Sequence, residues 1–134
     1  MNLLIADDNA RVRQVIKEVL KDLTTEIHEC ADGAEAVSDY ALHRPDWVLM
    51  DIGMPVCDGI AATRLIKSNF PEAKIVIVTA HNHRDLRKAA IEAGACAYVL
   101  KDDLADVRTI LTDGGKSMET EAIRKAATSI RKTD

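Results

Sequence analysis

Four short aliphatic runs of the 134-residue chain are each followed at once by side chains that could do chemistry. Asp7 and Asp8 follow residues 3–6, Asp51 follows 47–50, Thr79 follows 75–78 and Lys101 follows 97–100. If the runs are parallel strands, their carboxyl ends share one rim, which is where open parallel sheets bind ligands. We therefore expect three carboxylates, a hydroxyl and an amine to meet in one crevice.

Three carboxylates in one crevice repel each other. At ~5 Å and an effective dielectric constant of ~20, each pair costs about 3 kcal/mol. Such a cluster needs a cation, a lysine or partial protonation. Oxygen donors without Cys or His favour a hard ion, and Mg²⁺ suits a small carboxylate set that leaves room for phosphate and water. We expect that Asp8→Ala relieves repulsion and stabilises the metal-free protein.

Each of these residues also has an ordinary structural interpretation. Asp7 and Asp8 could cap a helix, Asp51 could begin a turn, Thr79 could be a β-branched strand residue, and Lys101 could be a solvated loop lysine. Only their combination, in this order, favours a site. A pair of histidines at 81 and 83 is predicted to lie in a solvated loop, not to bind a transition metal.

The four runs are too short for helices and are apolar on both faces, which is typical of strands buried in a parallel sheet. Residues 25–30 are more polar and predict an edge strand. Amphipathic patterns lie between the runs, the clearest being Val12, Val15, Ile16, Val19, Leu20 and Leu23. The predicted helix starts and ends are Asn9, Asp32, Asp58, Pro71 and Gly94. Five strand–helix units predict one parallel sheet covered by helices on both faces.

Composition agrees with a single domain with an aliphatic core, since 47% of the residues are hydrophobic but only 3% are aromatic. With 22 acidic and 18 basic residues the formal net charge is -4, which argues against nonspecific nucleic-acid binding. No apolar stretch approaches the roughly 18 residues of a membrane span, and the amino terminus does not resemble a signal peptide. Three scattered cysteines predict reduced thiols. Together these features predict a cytoplasmic protein with no membrane association.

These residues together resemble the receiver domain of two-component response regulators, the CheY-like family. The resemblance covers about residues 2–112 and rests on Asp7-Asp8, the run Asp51-Ile52-Gly53-Met54-Pro55, Asp58-Gly59, Thr79-Ala80 and Lys101. The stretch 94–102 is similar to receivers that precede a LuxR-type helix-turn-helix. The resemblance implies a doubly wound, flavodoxin-like (βα)₅ α/β fold with strand order 2-1-3-4-5. Residues 1–112 would form the receiver, and 113–134 a tail or linker with an extra C-terminal helix.

The family resemblance also implies roles for individual residues. Asp51 would accept a phosphoryl group from a histidine kinase or phosphotransfer protein, and the chain would catalyse only its own phosphorylation and dephosphorylation. Mg²⁺ would be held by Asp8, Asp51 and the backbone carbonyl of Gly53, with Asp7 acting through water. Lys101 would pair with Asp51 and then with phosphoryl oxygens. Thr79 would hydrogen-bond the phosphoryl group, and Tyr98 would switch with Thr79.

The loop after Lys101 and the surface around the fifth strand need separate treatment. Family members often have proline after the lysine, whereas this chain has Asp102, so the loop geometry there is not predicted. The fourth helix, fifth strand and fifth helix are expected to form a partner or homodimer face of mixed charge. The residues expected on that face are Arg87, Lys88, Asp102, Asp103, Asp106 and Arg108.

Three other functions compete with a receiver. A haloacid-dehalogenase-like aspartyl-phosphate phosphatase would need a second acid where Gly53 stands. A flavodoxin-like cofactor module would need a Gly- or Ser/Thr-rich first loop. A complete DNA-binding regulator would need more than the residues after 112. A stand-alone receiver and the receiver part of a longer regulator both remain open.

Overall fold

The computed structural model describes residues 1–113. Its elements alternate as predicted, and each strand is followed by a helix. In chain order they are β1 (Asn2–Ala6), α1 (Ala10–Leu20), β2 (Glu26–Cys30), α2 (Gly33–His43), β3 (Trp47–Met50), α3 (Gly59–Asn69), β4 (Ile75–Thr79), α4 (Arg84–Glu92), β5 (Ala97–Leu100) and α5 (Leu104–Asp113), with a 3₁₀ turn at Lys101–Asp103 between the last two. The predicted C-terminal helix lies outside the described residues.

All five strands pair in parallel, in the order β2-β1-β3-β4-β5. This confirms the predicted doubly wound α/β fold and strand order. The chain crosses over between β2 and β3, so β1 and β3 lie side by side at the point where the winding reverses. The carboxyl ends of β1 and β3 therefore open onto a common crevice.

The core is divided in two by the sheet. On one face, Leu3 and Ile5 pack with buried residues of α1 and α5 such as Ile16 and Ile110. On the other face, Leu4 and the remaining alternate strand residues pack with α2, α3 and α4. Because both faces are covered, the inner strands are apolar at nearly every position, which explains the aliphatic runs in the sequence.

Side-chain caps set the starts of three helices. Asn9 accepts hydrogen bonds from two backbone N–H groups of α1, and Asp58 likewise accepts from two of α3. Asp32 accepts from one, the N–H of Glu35 in α2. Gly94, just after α4, has a φ of 109°, a conformation that glycine adopts at little cost. The three predicted caps and this helix end are thus confirmed.

The apolar stripe of α1 is wider than the buried face of that helix. Val15 belongs to the predicted apolar stripe of α1, but it is 46% exposed. It lines a groove of about 240 Å³ with Asn9, Arg11, Val12, Lys101 and Leu104. An amphipathic pattern marks which face of a helix is apolar, but it does not determine whether every apolar side chain on that face is covered by a neighbour.

Membrane-spanning helices are absent from residues 1–113, because each helix there is too short or too polar to span a bilayer.

Candidate phosphoryl-acceptor and metal site

The three predicted carboxylates meet at the crevice between β1 and β3. Asp7 and Asp8 follow β1, Asp51 follows β3, and one ligand oxygen of each lies within 4.8 Å of the others. Asp7 and Asp51 are buried, whereas Asp8 is exposed. The cluster therefore has a shielded inner side and an open outer side, through which an ion or a phosphoryl group can enter.

A lysine compensates the inner charges. Lys101, in the 3₁₀ turn after β5, places Nζ 2.9 Å from Asp7 Oδ2 and 3.5 Å from Asp51 Oδ2. The expected pair with Asp51 is present, but the closer partner is Asp7. All peptide bonds of residues 1–113 are trans, so the turn after Lys101 reaches this geometry with Asp102 in the place of proline.

The pKa values of Asp51 and Lys101 are both raised in this site. Burial is the largest influence on Asp51, followed by the charge of Asp7, and together they raise the pKa of the Asp51 carboxyl above its ordinary value despite Lys101. Burial by itself would lower the pKa of Lys101, but the hydrogen bond to Asp7 and the charge of Asp51 raise it overall. Lys101 is thus held as a cation inside an acidic site.

Backbone contacts fix the position of Asp51. Its N–H donates to the carbonyl of Ala6 at 2.8 Å, and its Oδ1 accepts from the N–H of Ile52 at 2.9 Å. The start of α3 presses against its carbonyl so closely that a Cβ at Gly59 would lie 1.8 Å from that oxygen. Only glycine fits there without movement of the Asp51 backbone.

The loop that follows Asp51 leaves the mouth of the site open. Gly53 is exposed, and a Cβ built on it would meet no atom within 4 Å. Further along, Val56 is 86% exposed and has a φ of 67°, which is unfavourable for a β-branched residue. Strain of this kind often accompanies a loop whose shape serves a site.

The predicted switch residues are in contact on the far side of the site. Thr79 is fully buried, and its Oγ1 accepts a hydrogen bond from the N–H of His81 at 3.2 Å. Tyr98 is buried, and its hydroxyl donates to the His81 carbonyl at 2.6 Å. Burial raises the pKa of Tyr98, while the charge of Arg87 and the hydrogen bond with Thr79 act against this. The guanidinium carbon of Arg87 lies 4.8 Å from the centre of the Tyr98 ring.

Sequence reasoning did not identify two residues that support the site. Arg13 of α1 reaches the backbone carbonyl of Asp7, and Glu29 of β2 holds Arg13. Spacing could have indicated Arg13, which lies one turn into the helix after the paired acids. Nothing in the sequence indicates Glu29, because its contact with Arg13 depends on how α1 packs beside β2.

One residue expected on the partner face lies elsewhere. Arg108 donates from its guanidinium to both carboxylate oxygens of Asp22, at 2.7 and 3.0 Å, and to the carbonyl of Val19. These contacts join α5 to the end of α1. The prediction for Arg108 was wrong because its side chain turns toward the neighbouring helix, away from the α4–β5–α5 face.

Comparison with known proteins agrees with this geometry. The family model for the response regulator receiver domain matches residues 3–112. The transcriptional regulatory protein PdtaR of Mycobacterium tuberculosis is 46% identical over 100 residues, which cover 74% of this chain and 48% of that protein. The chemotaxis protein CheY of Bacillus subtilis is 40% identical over 105 residues, covering 78% of this chain and 88% of CheY. The chain thus spans about half the length of PdtaR but most of CheY.

Solved structures show the same architecture. A chain of the CheX–CheY–BeF₃–Mg²⁺ complex of Borrelia burgdorferi superposes with a TM-score of 0.79 at 29% identity, covering 84% of this chain and 87% of that one. A LuxR-family response regulator from Aurantimonas has a TM-score of 0.75 at 33% identity, covering 84% and 85%. The phosphatase alternative is not supported by these matches. The chain belongs to the response regulator receiver domain family of two-component systems.

Proposed function

We propose that this chain receives a phosphoryl group on Asp51 in the presence of Mg²⁺. The observation that carries the proposal is the placement of a buried Asp51 between two further carboxylates and Lys101. Receiver domains are signalling proteins that bind Mg²⁺ through such an acidic cluster. The proposal therefore applies the family's chemistry to residues of the types that it needs, which cluster at one crevice.

The donor set suits Mg²⁺. Asp8 and Asp51 offer carboxylate oxygens, the backbone carbonyl of Gly53 would supply a further oxygen, and Asp7 would act through water. An all-oxygen set of this size leaves room for phosphate and water, as Mg²⁺ requires. When bound, the ion would neutralise charge on the phosphoryl oxygens. Lys101 would keep Asp7 paired while Asp51 exchanges partners.

The transfer itself needs little from the protein beyond position and charge. An Asp51 carboxylate oxygen attacks the phosphorus of a phosphohistidine, the new O–P bond forms as the P–N bond breaks, and the imidazole nitrogen keeps the electron pair. Phosphoryl transfer depends mostly on positioning and electrostatic stabilisation. After the transfer, Lys101 would pair with phosphoryl oxygens and the Thr79 hydroxyl would donate a hydrogen bond to one of them.

A histidine kinase or phosphotransfer protein would supply the phosphoryl group. The groove lined by Val15 and Leu104 lies next to Lys101, so it offers an apolar surface to a donor at the mouth of the site.

This chain itself would bind no nucleic acid. Within it, residues 1–112 would act as the receiver, and 113–134 would be a tail or a linker to whatever follows.

The signal would leave through Thr79 and Tyr98. When Thr79 moves toward the phosphoryl group, the space beside the Tyr98 ring changes, so the ring's inward position would become more populated. A free-energy bias of a few kcal/mol is enough for such a population shift. The α4–β5–α5 face, where Arg87 already contacts Tyr98, would then bind a partner or a second copy.

Phosphorylation is tested with acetyl phosphate and intact-mass measurement. Wild-type protein with Mg²⁺ should gain one phosphoryl group, and EDTA should prevent the gain. Asp51→Asn should not be labelled, whereas Asp58→Asn, which alters the helix cap nearby, should be. Equal labelling in EDTA would overturn the metal assignment, and labelling of Asp51→Asn would overturn the acceptor.

A further inference from the structure

Arg13 connects the first helix to the backbone of the acidic pair. Its Nη1 donates to the carbonyl oxygen of Asp7 at 2.6 Å, and its Nε donates to Oε1 of Glu29 at 3.0 Å. The Arg13 side chain is only 18% exposed, so its guanidinium is largely shielded from solvent. A guanidinium that spans two fixed acceptors in this way has little freedom to move.

The contacts of Arg13 close a ring around the end of β1. The N–H of Asp7 donates to the carbonyl of Cys30 at 3.1 Å, and Cys30 is the neighbour of Glu29 on β2. Both backbone groups of Asp7 are therefore held, one by β2 directly and one through Arg13. The peptide that joins Asp7 to Asp8 is the one whose carbonyl Arg13 holds, so its orientation also directs Asp8.

Asp8 depends on this backbone more than its neighbours do. Asp7 has side-chain partners of its own, since Oδ1 accepts from the N–H of Asn9 at 2.8 Å and Oδ2 pairs with Lys101. Asp51 accepts from Ile52. Asp8 is exposed, and its carboxylate must point into the cluster from the open side. A rotated Asp7–Asp8 peptide would turn this carboxylate away.

We propose that Arg13, braced by Glu29, is a positioning residue for the cation site, orienting the Asp7–Asp8 peptide so that both carboxylates face Asp51. The inference rests on the proposed function and adds a residue that contacts no substrate or ion itself. Groups that orient metal ligands from behind commonly change metal affinity by about 10- to 100-fold.

Lys17 provides a matched control. It also lies on α1 and donates to Glu29, at 3.0 Å to Oε2, and its side chain is partly buried like that of Arg13. Of these two side chains, only that of Arg13 also donates to the carbonyl of Asp7. Lys17→Gln and Arg13→Gln therefore remove the same charge from the same ion-pair cluster, but only the second releases the Asp7 carbonyl.

The test is isothermal titration of the metal-free protein with MgCl₂, with unfolding by urea in EDTA as the measure of fold stability. We expect Arg13→Gln to raise the Mg²⁺ dissociation constant about tenfold and Lys17→Gln to change it by less than about twofold. For Arg13→Gln, the Mg²⁺ concentration for half-maximal acetyl phosphate labelling should rise with the dissociation constant, while the labelling rate at saturating Mg²⁺ should equal that of the wild type. A merely structural role would lower stability in urea without changing the Mg²⁺ requirement in this way.

Equal dissociation constants for the two variants would overturn the role of Arg13. If Arg13→Gln does not fold, Glu29→Gln takes its place, because it leaves Arg13 unbraced; a value no weaker than that of Lys17→Gln would then overturn the inference. Wild-type protein that binds Mg²⁺ but is never labelled would refute the proposed function alone. Wild-type protein that binds no Mg²⁺ would refute both.

Discussion

The buried, ionisable side chain of Asp51 lowers the stability of the fold. It is 7% exposed and lies beside Asp7, so its ionised form is disfavoured and its pKa is raised, with burial as the main cause. A carboxyl whose pKa is higher in the folded than in the unfolded protein binds its proton more tightly when folded. Its favourable contribution to stability is complete when the pH is below the pKa of the unfolded protein. That contribution is lost as the pH rises through the pKa of the folded protein.

This sign gives a prediction for the metal-free protein. Asp51→Asn is neutral at every pH, so at pH 7 in EDTA it should be more stable than wild type by about 1 kcal/mol. The difference should shrink as the pH falls through the raised pKa of Asp51 toward the ordinary value of 3.8. Urea unfolding at several pH values measures it. Asp8→Ala, expected from sequence to stabilise as well, should do so less because Asp8 is exposed. A less stable Asp51→Asn at pH 7 would contradict the argument.

Val56 carries a second local cost. A β-branched side chain at a φ of 67° is strained, and with 86% exposure it gains little from burial. Val56→Asn should therefore raise the free energy of unfolding by about 1 kcal/mol, since asparagine tolerates this conformation better. Val56→Ile keeps the branched Cβ and should change little. The urea midpoint compares the three proteins, and a destabilised Val56→Asn would show that the valine makes a contact worth more than its strain.

At the scale of elements, the loop between β3 and α3 is fixed by close approaches of backbone to backbone. The N–H of Gly33, at the start of α2, donates to the carbonyl of Cys57 at 3.0 Å, and a Cβ there would lie 2.0 Å from that oxygen. Gly59 approaches the carbonyl of Asp51 in the same manner. The starts of α2 and α3 thus hold the β3–α3 loop from both ends, and the close distances require glycine at both positions.

Gly59→Ala tests this packing. The new methyl group must displace the backbone of Asp51, so we expect a loss of at least about 2 kcal/mol in the free energy of unfolding. Labelling of Asp51 by acetyl phosphate should also slow at saturating Mg²⁺. Gly53→Ala is the matched control, because its Cβ meets no atom within 4 Å and its carbonyl is retained. Equal stability of the two variants would contradict the distance argument.

At the scale of the whole molecule, the crevice and the α4–β5–α5 face are joined by β4 and β5. Thr79 ends β4, Tyr98 lies in β5, and both contact His81 in the loop before α4. Arg87 of α4 lies over the ring of Tyr98. Thr79 is therefore linked to Arg87 of the predicted partner face through three contacts, and other residues predicted for that face, such as Lys88 and Asp102, are exposed.

Self-association through this face is measured by sedimentation velocity. Mg²⁺ with beryllofluoride, which mimics the phosphoryl group, should raise the sedimentation coefficient of the wild type. Asp51→Asn should not respond, and Arg87→Glu should respond less because it reverses a charge on the face. An unchanged coefficient, with fluorine-labelled Tyr98 shifting and Asp51 occupied, would leave the switch in place and refute the homodimer. A Tyr98 signal that does not shift would refute the switch.

The sequence by itself determined the alternation of strands and helices, the sheet order through the family resemblance, and the residues of the crevice. Those features depend on local periodicity, and on the rule that strand ends of a parallel sheet share one rim. Capping by Asn9, Asp32 and Asp58 is also local, since each side chain bonds N–H groups two or three residues on.

Only the tertiary structure decided the rest, because the partners are distant in sequence. Arg108 pairs with Asp22, 86 residues away, and this packing of α5 on α1 removed it from the predicted face. Lys101 lies closer to Asp7 than to Asp51, Val15 faces a groove, and Glu29 holds Arg13, each as a result of how neighbouring elements meet. Residue types and spacing locate the chemistry, but the distances that tune it arise only when separate helices and strands pack together.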